Sequence, residues 1–401
     1  MKPLPVADRS FAGQLNRESE GWVADGIVSA EQAAAIRGRY ARGGEEPRGR
    51  ATVALAVIGA VAVGFGVIGF IAANWDGMSH AARLLLLTLA VAGSYGAAFH
   101  LRERTGSMPR VGEALYLVGV LLFGASLFLV GQMYNVEAHD PLALLLWAGG
   151  ATATALVVRS HAIAATAVLI FTGWVGFEFG LALDDAGETF SAFPVVALLY
   201  GGALYGLATA AQERFREHRF AGSGFPESGR GVGLPVAAAG LFVFTFAAAT
   251  DGLERAGDEL GGLLLAAFLF LAALALSGAA ALARSRRPSG RYESGVLAVV
   301  VVAVLVAVLA GGDGDLYAIL FNVVFAAVAL GVIYAGYLSD EPWLVNLGVV
   351  LVAVDLVARY FDVFWDALPR SVGMIGAGLL VLGIAFLLER QRKRLLERMG
   401  E

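Results

Sequence analysis

The chain contains no cysteine in its 401 residues. That absence excludes disulfides, cysteine nucleophiles, iron–sulfur clusters and thiolate zinc sites together. Charge is nearly as scarce: Asp, Glu, Lys and Arg make up 16% of the residues, where a soluble globular domain carries about 25%. Motifs of soluble chemistry are missing too. There is no G-x-x-x-x-G-K-[ST] loop to cradle a nucleotide, no H-E-x-x-H pair to hold zinc, and no G-x-S-x-G elbow to present a serine. The five histidines (His80, His100, His139, His161 and His218) are scattered without metal-ligand spacing. These absences argue against an enzyme, a metal site, a resident cofactor and a nucleic-acid partner. Proline is sparse as well, with 11 residues in the chain, and it is nearly absent from the interiors of the apolar runs.

What the chain has instead is hydrophobicity. Apolar residues make up 58% of it and the mean hydropathy is +0.71. From Ala51 onward, apolar runs of about 18 to 23 residues recur, the length of helix that crosses a hydrocarbon core of about 30 Å. A run such as "VALAVIGAVAVGFGVIGFIAA" is apolar on every face, whereas a barrel strand alternates apolar and polar residues. The expected fold is therefore all-α, a polytopic helical membrane bundle. Twelve spans are predicted, near 51–73, 82–99, 112–131, 141–158, 162–181, 191–210, 232–250, 261–283, 294–311, 316–337, 343–360 and 371–388. The break at Arg159, Ser160 and His161 separates the fourth span from the fifth. No cleavable signal peptide is expected in the polar, Arg-rich first fifty residues.

Charge gives an independent test, because Lys and Arg are retained on the cytoplasmic side. Alternate polar segments, starting from the N-terminus, hold 25 of the 29 Lys and Arg residues. Both termini are therefore expected in the cytoplasm. Two segments fit less well: "SDEPW" is assigned inside without a cation, and Arg359 and Arg370 flank a segment assigned outside. Residues 1–50 read as a cytoplasmic helical hairpin, 51–388 as the transmembrane domain and 389–401 as a basic cytoplasmic tail drawn to anionic lipid. In the hairpin, Phe11, Leu15 and Trp22 fall at near-helical spacing and Gly26 stops the first helix. Ser29, with Gln32 three residues on, makes a capping box for the second, which Gly43 and Gly44 end. So small a pair needs the membrane domain or a protein partner to pack against.

Three stretches carry a resemblance: "GIVSAEQAAAI" in the helix pair, "GFIAANWDGMSHAARLLL" across the first hairpin, and "GEALYLVGVLLFGASLFLVGQMYNV" in the third span and its exit. With these the chain resembles a bacterial family of predicted membrane proteins catalogued as domain of unknown function 2157, over roughly its first 140 residues. "LFNVVFAAVALGVIYAGY" and "LVNLGVVLVAVDLVARYFD" look like closing helices of related membrane proteins. The resemblance implies location and architecture, here the bacterial inner membrane, and no assigned chemistry.

Polar groups inside apolar spans cost free energy unless paired, roughly 2.5 to 3.5 kcal/mol for a charge at the bilayer centre on insertion scales. Asp355 in the eleventh span is the clearest, with Arg359 one turn later on the same face. The two read as a structural ion pair with Arg359 snorkelling outward, or as a proton- or substrate-coupled site. Asn322 and Asn346 read as hydrogen-bonding groups between helices. Glu178 and Glu113 read as span-boundary residues, "AGSGFPESGRG" as a flexible connector, and "GGDGD" as a plain turn. Asn74, Trp75 and Asp76 fall at the outer membrane–water boundary, repeated in "FWDALPRS" at 364–371. An aromatic anchor followed by a helix N-cap explains both copies. The alternative is an outward-facing site built from Trp75, Asp76, Gln132, Tyr134 and Asn135. Small-residue pairs such as Ala60 with Gly64, and Gly176 with Gly180, suggest close helix packing.

The function expected from this pattern is permease-like, binding or moving a small or amphipathic molecule of unspecified identity. A non-transporting scaffold or sensor, recruiting a protein partner through its cytoplasmic helix pair, is the alternative. An enzyme acting on lipid-linked substrates would need an acidic or His cluster at one interface, and only "LDDAGE" and "DVFWD" offer that. A cavity reaching Asp355 and Arg359 favours transport, and a closed bundle favours the scaffold.

Overall fold

The computed structural model describes residues 18–40, 75–135, 141–185, 192–214, 223–246, 249–250, 262–310 and 313–364, with isolated positions at 376, 378 and 383. The predicted spans at 51–73 and 371–388, the second Trp-Asp copy, the basic tail and Ala60 with Gly64 lie outside or almost wholly outside these residues. The chain divides into two compact units, Met1–Arg83 and Leu84–Glu401.

In the first unit, helix α1 (residues 18–24) ends at Gly26, whose φ of 71° is left-handed. The amide of Ile27 then reaches back to the Trp22 carbonyl at 2.9 Å, closing the helix end as a left-handed glycine allows. Ser29 starts α2 (Ala30–Tyr40) with the predicted capping box: its amide donates to Gln32 Oε1 at 2.9 Å, and the Gln32 amide donates to Ser29 Oγ at 3.2 Å. A short 3-10 turn, Trp75–Gly77, precedes the next helix.

That helix, α3 (His80–Phe99), runs on into a π turn, His100–Arg104. Nine further helices follow: α4 (Pro109–Met133), α5 (Leu142–Val158), α6 (His161–Asp185), α7 (Phe193–Arg214), α8 (Phe225–Val243), α9 (Gly262–Ala283), α10 (Gly290–Ala310), α11 (Gly314–Leu338) and α12 (Pro342–Phe364). No strand occurs among the described residues. Eight helices among them are long and apolar enough to cross a bilayer, and α5 is apolar but shorter. The molecule is thus an all-helical membrane protein, and α3 to α12 fall on the ten predicted spans that the described residues cover.

Local chemistry fixes most of the helix ends. Arg159 adopts a left-handed φ of 54° and closes α5, so the fourth and fifth spans are separate helices. Within "GGDGD", Asp313 is the N-cap of α11 and accepts from the amides of Asp315 and Leu316 at 3.0 and 3.3 Å. The segment is a helix start with a defined job rather than a plain turn. The largest departure from expectation is at α8. Seven of the eleven residues of the supposed connector "AGSGFPESGRG" are helical, because Gly224 takes φ 81° and Pro226 stands at the helix start, where its missing N–H costs nothing.

Glycine explains why α8 can lie so close to α7. A Cβ on Gly233 would stand 2.6 Å from the Tyr205 amide nitrogen, and one on Gly240 would stand 2.6 Å from the Leu198 amide nitrogen. Small residues of this kind let backbones meet where lipid gives no hydrophobic push between helices. The expected pair behaves otherwise: Gly176 meets only the Phe193 ring, at 3.6 Å, and nothing lies within 4 Å of a Cβ at Gly180. The main buried core runs through α6 to α11, where Leu199, Phe244, Phe268, Val301, Phe321 and Phe325 are buried. A smaller cluster joins α3 to α6 around Tyr116, Val120, Ala151 and Ile163.

Candidate functional site

Between α7, α8, α10, α11 and the first turn of α12 lies a cavity of about 710 Å³ including its open mouth. Its walls are Leu, Val, Ala and Gly side chains, with Tyr205, Tyr292 and Glu293 as the polar exceptions. Glu293 is the one charged group on its lining. Its position follows from the sequence "RRPSGRYES": Pro288 and Ser289 end the preceding turn and α10 begins at Gly290. Glu293 therefore falls in the first helical turn, where the helix dipole favours a carboxylate. Only 9% of Glu293 is exposed. Its Oε2 accepts from the Tyr205 hydroxyl at 2.6 Å, and its Oε1 accepts from Ser289 Oγ. With its hydrogen so used, Ser289 Oγ can only accept from Ser339 Oγ, with which it pairs.

Behind this carboxylate lie Glu341, Arg287 and Arg230. Glu341, in the short turn between α11 and α12, receives two guanidinium groups at once. Arg287 donates to Oε1 at 3.1 Å and to Oε2 at 2.8 Å. Arg230 donates to Oε1 at 3.0 Å and also to Oε2. Two forks on one carboxylate give planar, directional recognition that Lys could not supply. Arg287 also lies 3.5 Å from Glu293. Arg230 is only 4% exposed; it donates further to Gln212 Oε1 at 2.9 Å and lies over the rings of Trp343 and Tyr205, 5.3 and 5.9 Å from their centroids. The backbone of the turn makes the arrangement possible. Asp340 takes φ 56°, and the Glu341 amide reaches back to the Gly336 carbonyl at 2.9 Å.

The electrostatics of the turn are mutual. Burial pushes the Glu341 carboxyl upward, but the hydrogen bonds and charges of Arg230 and Arg287 outweigh it and hold the carboxyl below the ordinary carboxylate value. Burial likewise works against the Arg287 cation, yet the bonds to Glu341 and the charges of Glu293 and Glu341 raise its pKa instead.

The residues singled out from the sequence lie elsewhere. Asp355 and Arg359 face each other along α12 at 3.8 Å, beyond hydrogen-bond range. Neither borders the cavity. Arg359 spends its Nη groups on Asp362 Oδ2 at 2.9 Å, on Thr245 Oγ1 at 2.9 Å and on the Thr245 carbonyl at 3.3 Å. Asn322 Nδ2 donates to that same carbonyl at 2.8 Å. Both side chains therefore cap the C-terminal end of α8, and Asn322 has the helix-to-helix role expected of it. Asp355 Oδ1 is buried without a hydrogen-bond partner.

Trp75 carries the guanidinium of Arg83, 5.0 Å from its ring centroid, and Ser79 Oγ accepts from the Ala82 amide at 3.3 Å to start α3. The cap of α3 is thus supplied by Ser79. The side chain of Asp76 and all of Asn74 lie outside the described residues. Gln132, Tyr134 and Asn135 end α4, and all three are exposed; they form no buried pocket. Glu113 does more than begin a span: it accepts from Ser160 Oγ at 2.5 Å, tying the α5–α6 corner to α4.

Sequence reasoning passed over Arg230, Arg287, Glu293 and Glu341. A usable signal was there. "SDEPW" was the cation-free segment on the side assigned to cations, so its Glu341 had to meet cations from neighbouring loops. Among the described residues no three His, Asp or Glu side chains come together as a metal site. No curated protein and no solved structure matches the chain. Residues 20–164, which end just inside α6 and stop short of the cavity and its charge network, match the family described as predicted membrane protein (DUF2157), so the resemblance read from the sequence holds over that segment.

Proposed function

We propose that this protein binds an amphipathic small molecule inside its helix bundle, in a permease-like role in the bacterial inner membrane with both termini in the cytoplasm. The observation that carries this reading is the cavity between α7, α8, α10 and α11, about 710 Å³ and almost wholly apolar, with a single carboxylate on its wall. Small-molecule sites are of this kind: concave and mostly apolar, with a few fixed polar groups. Two further features support it. Pro235 lies inside α8 beside the lining residue Leu234, and having no N–H it cannot bond the Gly231 carbonyl, so the helix is weakened where it borders the cavity. Interrupted helices next to a binding site are a recurring feature of transporters. The charge network closes the end of the cavity that the Lys and Arg distribution assigns to the cytoplasm.

The test is stoichiometric binding. Purified protein in lipid nanodiscs is titrated with octanol, octylammonium and octanoate and examined by native mass spectrometry, beside a Val296→Phe variant that narrows the cavity. The reading expects one saturable site for at least one of these molecules, lost or weakened at least about tenfold in the variant, the effect of removing roughly 1.4 kcal/mol of contact. Non-saturable uptake equal in both proteins would refute it and leave the scaffold or sensor reading.

A further inference from the structure

Resting on that cavity reading, we propose that the preferred occupant is a lipophilic amine whose ammonium group sits on Glu293. The argument is one of charge placement. Every other side chain on the lining is apolar or a tyrosine, so an occupant's head group meets charge only at this carboxylate. The guanidinium groups that balance it do not face the cavity. Arg287 and Arg230 are absent from the lining and point their Nη groups at Glu341. Seen from the cavity, the cluster is a dipole with its negative end inward. An anionic head group would approach the wrong end, and to reach a guanidinium it would have to displace Glu341 from two bidentate contacts.

Hydrogen-bond capacity points the same way. An ionised carboxylate offers about four acceptor positions. Glu293 fills one on each oxygen, from Ser289 and from Tyr205, while Arg287 stays at 3.5 Å. Capacity remains for N–H donors from the cavity, and bonds of that kind between charged partners are about twice as strong as neutral ones. Tyr205, whose hydroxyl is bonded to the carboxylate, and Tyr292 also line the cavity. Gly331 leaves the room that the Tyr292 hydroxyl occupies, because a Cβ there would collide with it. The alkyl portion of the amine then lies along Val296, Val300 and Val328.

The experiment uses the full chain in nanodiscs and compares octylammonium, octanol and octanoate, equal in chain length and different in head group, in wild type and in Glu293→Gln. The Gln side chain keeps an acceptor for Tyr205 and leaves both arginine forks on Glu341 in place, while it removes the charge 3.5 Å from Arg287; octanol affinity therefore reports whether the cavity itself is intact. Wild type is expected to bind octylammonium about tenfold or more tightly than octanol, and octanoate most weakly, as a charge-assisted contact in a desolvated site requires. Glu293→Gln is expected to reduce the ammonium preference to within about twofold while octanol affinity stays the same. Equal affinities for the three molecules in wild type would overturn the inference and leave the cavity reading standing. So would a preference for octanoate, or an ammonium preference that survives in Glu293→Gln. Binding of none of them would overturn both.

Discussion

Two charged clusters stand at opposite ends of the C-terminal helices, and they are built from the same residue types in opposite ways. Asp355 and Arg359 are four residues apart on one helix, yet 3.8 Å separates them and Asp355 Oδ1 is unsatisfied. Arg230 and Glu341 are 111 residues apart, and they form a buried fork that shares Glu341 with Arg287. Sequence spacing identifies which side chains share a face. It does not say whether a better partner waits on the neighbouring helix. Arg359 finds the carbonyl that ends α8 and leaves Asp355 behind, whereas Glu341 holds both arginines in bidentate contacts although Glu293 and Gln212 stand within reach of them.

The largest effect is expected at Glu341. Glu341→Gln leaves buried Arg230 facing neutral acceptors and Arg287 with only the Glu293 carboxylate 3.5 Å away, and removing one member of a buried ion pair costs about 3–5 kcal/mol. Denaturant-induced unfolding in mixed micelles measures it. The same carboxyl sets a pH dependence. Because its folded pKa lies below the ordinary value of about 4.3, its stabilisation is complete above that value. It disappears as pH falls through the folded pKa. Wild type should lose stability on acidification below the ordinary carboxylate range with a steeper slope than Glu341→Gln.

Next in size is the α7–α8 seam. Gly233→Leu forces side-chain volume against the Tyr205 backbone, and over-packing of this kind costs about 1–3 kcal/mol. The same substitution at Gly180, where a Cβ meets nothing, should change stability by less than about 0.5 kcal/mol. Asn322→Leu, which removes one of two donors to the Thr245 carbonyl, should cost about 0.6 to 1.7 kcal/mol, the range of hydrogen bonds between membrane helices. The smallest effect belongs to Asp355→Asn. With no hydrogen bond to lose, it should be neutral within about 0.5 kcal/mol. A loss as large as that of Glu341→Gln would restore the local pair to the structural role that its spacing suggested.

The architecture was legible because lipid imposes it. A span must be long, apolar and helical, so Leu84 to Phe99 or Val323 to Leu338 announce themselves. Capping chemistry was legible too: Ser29 with Gln32 forms the predicted reciprocal pair. What escaped was whatever depends on two distant segments meeting. "GFPESGRG" has the composition of a connector, and within it Gly229 becomes a packing residue only because Ala208 and Leu204 of α7 lie opposite. Nothing local marks Glu293, whose hydroxyl partner Tyr205 comes from a helix 88 residues away. Proline misled in the same way, since Pro235 is rare among span interiors and stands beside the one cavity described.

The central claim, that the bundle takes a molecule between its helices, is tested most directly by photolabelling in nanodiscs with an octyl diazirine and mapping the modified peptides. The account predicts adducts on the cavity-facing residues of α10 and α11, such as Val296, Val300 and Val328, suppressed by excess unlabelled octyl compound. Adducts confined to lipid-facing residues such as Val299, Leu309 and Leu320, unaffected by competitor, would contradict it.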